Sequence, residues 1–214
     1  YLPFYQPNPT NIKLSQKKFE RKDFNLPINS FIFCCFNNNY KITPKIFQSW
    51  MKILIQVEGS ILWLNKKNEK VTSNLRMEAK QLGVNPNRII FAPRMPLMED
   101  HLERYKFVDL FLDTFPYNAH TTASDAIRMG TPIVTLMGQS FASRVASSIL
   151  KRIDLAELIT HDLVAYEKLA ISLAKNSEKL NDLKSRLRDS SRRQKLFNSK
   201  EYTKDLEKLY ESLV

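Results

Sequence analysis

Residues 113–132, DTFPYNAHTTASDAIRMGTP, constrain this chain more than any other stretch. They follow an apolar run, Val108-Asp109-Leu110-Phe111-Leu112, that reads as a buried strand. The chain then turns through Pro116 and Asn118 and starts a helix at His120-Thr121-Thr122. Gly130 is expected to end that helix, and Pro132 leads into a further apolar run, Ile133-Val134-Thr135-Leu136. A strand feeding a short loop into a helix N-terminus is where open α/β sheets bind phosphorylated ligands. Unpaired N–H groups and the helix dipole both favour an anion there. Two threonine hydroxyls and an imidazole occupy that place, with the carboxylate of Asp125 one turn on.

The remaining pattern supplies neighbours for this unit. Phe31-Ile32-Phe33-Cys34-Cys35-Phe36 is a continuous apolar run suited to a strand covered on both faces. Thr43 and Pro44 fit the N-cap and first position of a helix whose apolar residues are Ile46, Trp50, Ile53, Leu54 and Val57, with Gly59 at its end. Ser60–Leu64 reads as a second strand, Val71–Leu82 as a helix closed by Gly83, and Arg88–Phe91 as a third strand. A loop with Pro93 and Pro96 leads to a helix around Glu99–Tyr105. Residues 141–150 carry one helical stripe, and helical patterns continue to the end. Strands separated by helices imply βαβ units and a parallel sheet with right-handed crossovers. The expected fold is α/β: a proline-punctuated linker at 1–30, a Rossmann-like parallel sheet flanked by helices at 31–160, and a helical C-terminal extension at 161–214.

Composition removes several function classes. With 214 residues, 43% hydrophobic and 26% charged, the chain has the size of one large domain or one lobe of a larger enzyme, and disorder is not expected. The net charge of +11 invites a nucleic-acid reading. Much of the excess, however, lies after residue 175 among interspersed acids, and no basic stripe is interleaved with aromatics. Nucleic acid is therefore not the expected partner, and attraction to anionic nucleotides or acidic partners is the milder consequence. Cys34 and Cys35 are adjacent in a strand and point to opposite faces, so they form neither a disulfide framework nor a zinc site. That fits a reducing, cytoplasmic setting. No apolar run approaches a membrane span, and no signal-peptide pattern opens the chain.

Four glycines, none spaced as GxGxxG or GxxxxGK[ST], argue against a dinucleotide dehydrogenase and a P-loop enzyme. The histidines His101, His120 and His161 do not spell HExxH, GxSxG is missing, and no metal cluster is legible. What remains is a phosphate-holding turn, and three places point toward it from C-terminal strand ends. Asn38 and Lys41 follow the first strand, where a lysine can neutralise a diphosphate. His101 and Arg104 lie one turn apart after the third strand, where an imidazole can stack on a base and a guanidinium can reach its edge. His120, Thr121 and Thr122 suit a phosphate, and Asp125 suits a ribose diol. Plainer readings stand beside these. Thr122 and Asp125 spell T-x-x-D, and from spacing alone helix capping has the better claim on them. Lys41 alone fits a solvated surface lysine, and His101 with Arg104 fits an exposed helix face.

Taken together, the segments YLPFYQPN (1–8), FCCFNNNYKITP (33–44), ILWL (61–64), NRIIFAP (87–93), DHLERYKFVDLFLDTFPYNAHTTASDA (100–126), GTPIVTL (130–136), SFASRVASSIL (140–150) and LFNSKEYTKDLEKLY (196–210) resemble the C-terminal half of the catalytic region of O-linked N-acetylglucosamine transferases. That family includes bacterial SPINDLY-type proteins. The resemblance implies the C-terminal lobe of a GT-B glycosyltransferase, holding a UDP-sugar, with no metal or other cofactor. It implies inverting transfer of N-acetylglucosamine to serine or threonine hydroxyls of proteins. UDP-glucose or GDP-fucose transfer, and a non-catalytic nucleotide-binding or scaffolding lobe, are the alternatives. By the same resemblance Lys41 contacts the diphosphate and is the catalytic group, and Asn38 stands where relatives usually have glutamine. His101 stacks on uracil with Arg104 near the base, His120-Thr121-Thr122 hold the phosphates, and Asp125 holds the ribose. Met98 stands where animal members carry a ribose-contacting lysine. The acceptor site and any base belong to an N-terminal lobe, commonly preceded by tetratricopeptide repeats, so these residues alone are expected to bind nucleotide and transfer little.

Overall fold

The computed structural model describes residues 8–213, so YLPFYQP at 1–7, the start of the first matching segment, lies outside the described residues. The strands are β1 (Ile32–Cys35), β2 (Ile61–Asn65), β3 (Ile89–Ala92), β4 (Leu110–Leu112), β5 (Ile133–Leu136) and β6 (Ile159–Thr160). They form one sheet in the order β3-β2-β1-β4-β5-β6, parallel at every pairing. All four residues of β1 and of β5 are buried, as expected for strands covered by helices on both faces.

Five strands stand where the apolar runs predict them. The sixth does not show in the pattern, because Ile159 and Thr160 are too short a pair to display a period. The pair is recruited by register, Ile159 opposite Thr135 and Thr160 opposite Leu136.

The helices are α1 (Pro44–Gln56), α2 (Glu69–Gln81), α3 (Met98–Glu103), α4 (Thr121–Arg128), α5 (Val145–Arg152), α6 (Leu163–Lys175), α7 (Ser177–Arg188), α8 (Ser190–Phe197) and α9 (Ser199–Glu211). Thr43 caps α1 by accepting from the Ile46 N–H, and Asn68, Asp162, Asn176 and Asn198 do the same for α2, α6, α7 and α9. The stripe at 141–150 divides into a 3₁₀ turn, Phe141–Ser143, and α5. Ser140 draws the turn tight by accepting from the Ser143 N–H at 3.3 Å.

The helices after residue 160 are built into the lobe. Helix α6 lies against α1, where Trp50 Nε1 donates to the Tyr166 hydroxyl at 3.0 Å. That hydroxyl in turn donates to the Asp113 carbonyl at 2.9 Å, tying α6 to the end of β4. From α7, Lys184 pairs with Asp109 at 2.9 Å. Ahead of β1, Phe24 is buried with its ring 5.2 Å from that of Trp63.

The strand order reverses between β1 and β4. Loops leaving the C-terminal ends of these two strands diverge to opposite faces of the sheet, and the crevice between them is where such sheets bind ligands. Here the loops carry Asn37–Lys41 and Asp113–His120.

Removing the Tyr166 hydroxyl should therefore loosen the junction of α1, α6 and β4. Tyr166→Phe leaves a buried Trp50 N–H and the Asp113 carbonyl without their partner, at an expected cost of about 1–3 kcal/mol in urea unfolding. An unchanged unfolding midpoint would contradict this.

Candidate functional site

The site is built around the segment from Asp113 to His120. Asp113 is buried directly after β4, and its carboxylate collects four donors. Oδ1 accepts from the backbone N–H groups of Thr114 at 2.7 Å and Ala119 at 2.6 Å, and from Asn37 Nδ2 at 3.2 Å. Oδ2 accepts from the Thr135 hydroxyl at 2.7 Å. Burial pushes this carboxyl up to about 6, against the pull of those hydrogen bonds.

Inside the loop, which contains a cis Phe115–Pro116 bond, Thr114 Oγ1 donates to the Tyr117 carbonyl at 2.6 Å. Asn118 Nδ2 donates to the Thr114 carbonyl at 2.9 Å, and Thr43 Oγ1 donates to the Phe115 carbonyl at 3.1 Å. The loop after β5 presses on the same segment at Gly138. A Cβ there would come within 2.5 Å of Ser143 Oγ and 2.9 Å of the Phe115 ring.

Helix α4 begins immediately beyond. His120 occupies the N-cap position without a side-chain cap bond, so Thr121 and Thr122 are the first two helical residues. The expected capping box is therefore absent. Thr122 stands inside the helix, where its hydroxyl donates to Asn37 Oδ1, and Asp125 is turned toward His101. The first helical bonds to the His120 carbonyl come from Ala123 and Ser124, at 3.1 and 3.2 Å. The N–H groups of Thr121 and Thr122 are given no acceptor by the described residues. The His120 ring lies 5.2 Å from that of Tyr117, and its Nε2 is buried without a partner among the described residues. Burial, and next the Lys41 charge, hold His120 below the ordinary histidine range, which favours the neutral imidazole. Gly130, at φ +76°, lets the chain leave α4 for β5.

Lys41 reaches this loop from β1. It ends a 3₁₀ turn, Asn39–Lys41, in which the Asn38 carbonyl accepts from the Lys41 N–H at 2.9 Å. Its Nζ donates to the Asn118 carbonyl at 2.9 Å and lies 3.8 Å from the Tyr117 ring centroid. Burial lowers its pKa, with Asp113 acting the other way. Lys41 is thus half-buried and tethered, unlike a solvated surface lysine. The Asn38 side chain is exposed beside it and lines the adjoining cleft.

That cleft, of about 390 Å³, is bordered by Phe36, Asn38, Asn65, Arg94, His101 and Arg104 among others. The exposed-face reading of His101 and Arg104 does not hold, because Arg104 is only 2% exposed. Its guanidinium lies 4.1 Å over Phe36, with Nη1 donating to the Pro93 carbonyl at 3.1 Å and Nη2 to Asn65 Oδ1 at 3.1 Å. Arg104 Nη2 also meets His101 Nδ1 at 2.6 Å. A guanidinium only donates, so His101 Nδ1 accepts and the ring proton sits on Nε2. Nε2 is 3.7 Å from Asp125 Oδ2, which joins α3 to α4.

The structure therefore gathers the eight expected residues into two adjoining groups. Lys41, His120, Thr121 and Thr122 surround the start of α4, and Asn38, His101 and Arg104 border the cleft. Asp125 stands between them. Sequence reasoning missed Asn37, Asp113, Tyr117 and Asn118. The available signal was polar residues directly following two otherwise apolar strands, where buried strand ends are expected to continue apolar. Among the described residues, no group of three or more His, Cys, Asp or Glu is placed to hold a metal, and no helix is long and apolar enough to cross a membrane.

The six-stranded parallel sheet flanked by helices, with further helices at its C-terminal side, matches the lobe of GT-B glycosyltransferases. In fold, the chain is similar to WaaG, a glycosyltransferase involved in lipopolysaccharide biosynthesis, with TM-score 0.64 and 13% identity over 87% of this chain and 49% of that one. It is similar to an O-GlcNAc transferase mutant of Thermobaculum terrenum with TM-score 0.81 and 27% identity, over 98% of this chain and 38% of that one. Residues 8–206 match glycosyl transferase family 41, and the chain belongs to that family. It is 38% identical over 194 residues to the probable UDP-N-acetylglucosamine–peptide N-acetylglucosaminyltransferase SEC of Arabidopsis thaliana, covering 90% of this chain and 20% of that protein. It is 34% identical over 189 residues to the UDP-N-acetylglucosamine–peptide N-acetylglucosaminyltransferase of Caenorhabditis elegans, covering 88% of this chain and 16% of that protein. The chain thus spans a fifth or less of the length of these two relatives.

The raised Asp113 carboxyl predicts a pH effect with a definite sign. Its ordinary value is 3.8 and its folded value about 6, so between those limits the fold binds more proton than the unfolded chain. Its contribution to stability is fully present below about 3.8 and is lost as pH rises through about 6. Asp113→Asn removes the titration. The stability difference between variant and parent should shift by up to about 3 kcal/mol in favour of the variant from pH 4 to 7. A difference independent of pH in urea unfolding would contradict it.

Proposed function

We propose that these residues form the donor-binding lobe of an inverting transferase that moves a sugar, N-acetylglucosamine foremost, from UDP to serine or threonine hydroxyls of proteins. The observation that carries this reading is Lys41 Nζ, held by the Asn118 carbonyl in the loop that leads into α4 and felt electrostatically at His120, together with the first N–H groups of α4, which no described residue accepts. In a nucleotide-sugar reaction the glycosidic bond breaks toward the β-phosphate, and negative charge grows on its oxygens. An ammonium and a helix N-terminus already in place stabilise that charge most where it is greatest, in the transition state. Membership of glycosyl transferase family 41 and the likeness to UDP-N-acetylglucosamine–peptide N-acetylglucosaminyltransferases support UDP-N-acetylglucosamine as the donor and protein as the acceptor.

In this reading the diphosphate lies against Thr121, Thr122 and Lys41, with His120 beside it as a neutral ring. The base enters the cleft beside His101, whose ring is fixed by Arg104 and flanked by Phe36 and Tyr105. Asp125, already facing His101, is placed for the ribose hydroxyls between the two. Acceptor binding and the general base fall to parts of the protein outside these residues, so transfer by residues 1–214 alone should remain at background.

Calorimetric titration tests the donor assignment. Saturable UDP binding that exceeds GDP binding and is unchanged by magnesium is expected, and a preference for GDP would move the donor to a guanine nucleotide. Lys41→Ala should weaken UDP binding tenfold or more, from the roughly 1.5–3 kcal/mol typical of a hydrogen bond to a charged group, and leave uridine binding intact. Equal losses for UDP and uridine would remove Lys41 from the diphosphate.

A further inference from the structure

Asn37 is the first residue after β1, only 2% exposed, and it joins Asp113 to Thr122. Its Nδ2 donates to Asp113 Oδ1 at 3.2 Å and to Thr114 Oγ1 at 2.7 Å, while its Oδ1 accepts from the Thr122 hydroxyl. An amide is the neutral side chain that can donate toward a carboxylate at one end and accept from a hydroxyl at the other. The orientation is therefore fixed: with the carboxylate accepting, the Asn37 oxygen must face Thr122. Thr122 Oγ1 then donates its only proton to Asn37, which ties the first turn of α4 to the end of β1 and leaves the Thr122 backbone N–H as the donor at the α4 start.

The same carboxylate shapes the loop that holds the cationic group, Lys41. Asp113 Oδ1 accepts from the N–H groups at both ends of 114–119, which places the Asn118 carbonyl where Lys41 Nζ meets it. One buried anion thus governs Thr122 through Asn37 and Lys41 through the loop. The charged and titratable groups around it are Lys41 from the β1 side, Cys35 on β1 and Tyr166 on α6.

Resting on the donor-site reading above, we propose that Asn37 and Asp113 are positioning residues for the diphosphate, a buried relay that holds the first turn of α4 by the Thr122 side chain, and so its backbone N–H groups, in one constellation with the Lys41 ammonium before the nucleotide arrives. Threonine in a helix divides between two side-chain rotamers, so a Thr122 without Asn37 would sample both and release the first turn of α4 from the end of β1. Prearranged donors reduce the ordering cost of binding, and a group misplaced by an ångström forfeits much of its contribution.

The test uses Asn37→Ala, Thr122→Val and the double variant, since Asn37→Ala leaves Asp113 its two backbone donors and Thr135. Expected for Asn37→Ala is a loss of about tenfold in UDP affinity with uridine affinity unchanged. The double variant should bind UDP no worse than the weaker single variant, because coupled sites are not additive. Losses that multiply, or equal losses for uridine, would overturn the relay.

A ligand-free measurement separates this from the donor reading. Three-bond couplings across the Thr122 side chain should report one rotamer in the parent and averaging in Asn37→Ala. A Thr122 rotamer unchanged in Asn37→Ala would overturn the relay even if UDP binds. Absence of UDP binding by the parent, with the rotamer effect present, would instead overturn the donor reading and the diphosphate role with it.

Discussion

A carboxylate shut away from water sets the geometry of this site. Asp113 follows the last apolar residue of β4, where the sheet would otherwise give way to solvent, and it is satisfied by backbone and side-chain donors from three segments. A buried charge is tolerated only when it is hydrogen-bonded in this way. The segments that meet it are therefore obliged to hold fixed positions. These are the end of β1, the loop into α4 and the middle of β5. The loop's contact with Gly138 and its bond to Thr43 add steric and polar restraint to the same end.

The restraint makes chemical sense because the site has little else to bind with. It has no glycine-rich cradle, and α4 offers its N–H groups from only two turns of helix. The Lys41 ammonium, partly buried and aligned by a carbonyl, stands against the loop that leads into them. Partial burial strengthens the attraction of Lys41 for an anion, because fewer waters compete for it. His120 stays neutral in the same surroundings and so adds no second positive charge, only a ring that packs on Tyr117 and Phe141. On the other side of Asp125, Arg104 acts as a brace. Its guanidinium supports the Pro93 carbonyl, Asn65 and His101, which shapes the cleft wall and fixes the His101 tautomer.

Much of this fold is legible in the sequence because parallel strands buried on both faces write themselves as continuous apolar runs. Five of the six strands, the cap at Thr43 and the end of α4 at Gly130 follow from pattern alone. The two-residue β6 carries no period, and its place comes from pairing with β5. The candidate site was legible as a list of residues but not as a set of contacts. Thr122 and Asp125 fit a capping box by spacing, yet the helix begins one residue before Thr122, and tertiary partners claim both side chains. Arg104 looks solvent-exposed on a short helix, but the sequence cannot show that Phe36 and the loop at Pro93 close over it. Asn37 and Asp113 stand out only as polar residues at the ends of apolar strands, and their partners are illegible because a buried polar network is defined by who meets whom across more than seventy residues of chain.

In the proposed reading the start of α4, with Lys41, holds a nucleotide diphosphate. The most direct measurement is the backbone amide shift of Thr121 and Thr122 during titration with UDP and, separately, with uridine. UDP should move both amides strongly, as hydrogen bonds form to phosphate oxygens, and uridine should move residues around His101 while leaving Thr121 and Thr122 in place. Shifts confined to the His101 cleft with either ligand would contradict it.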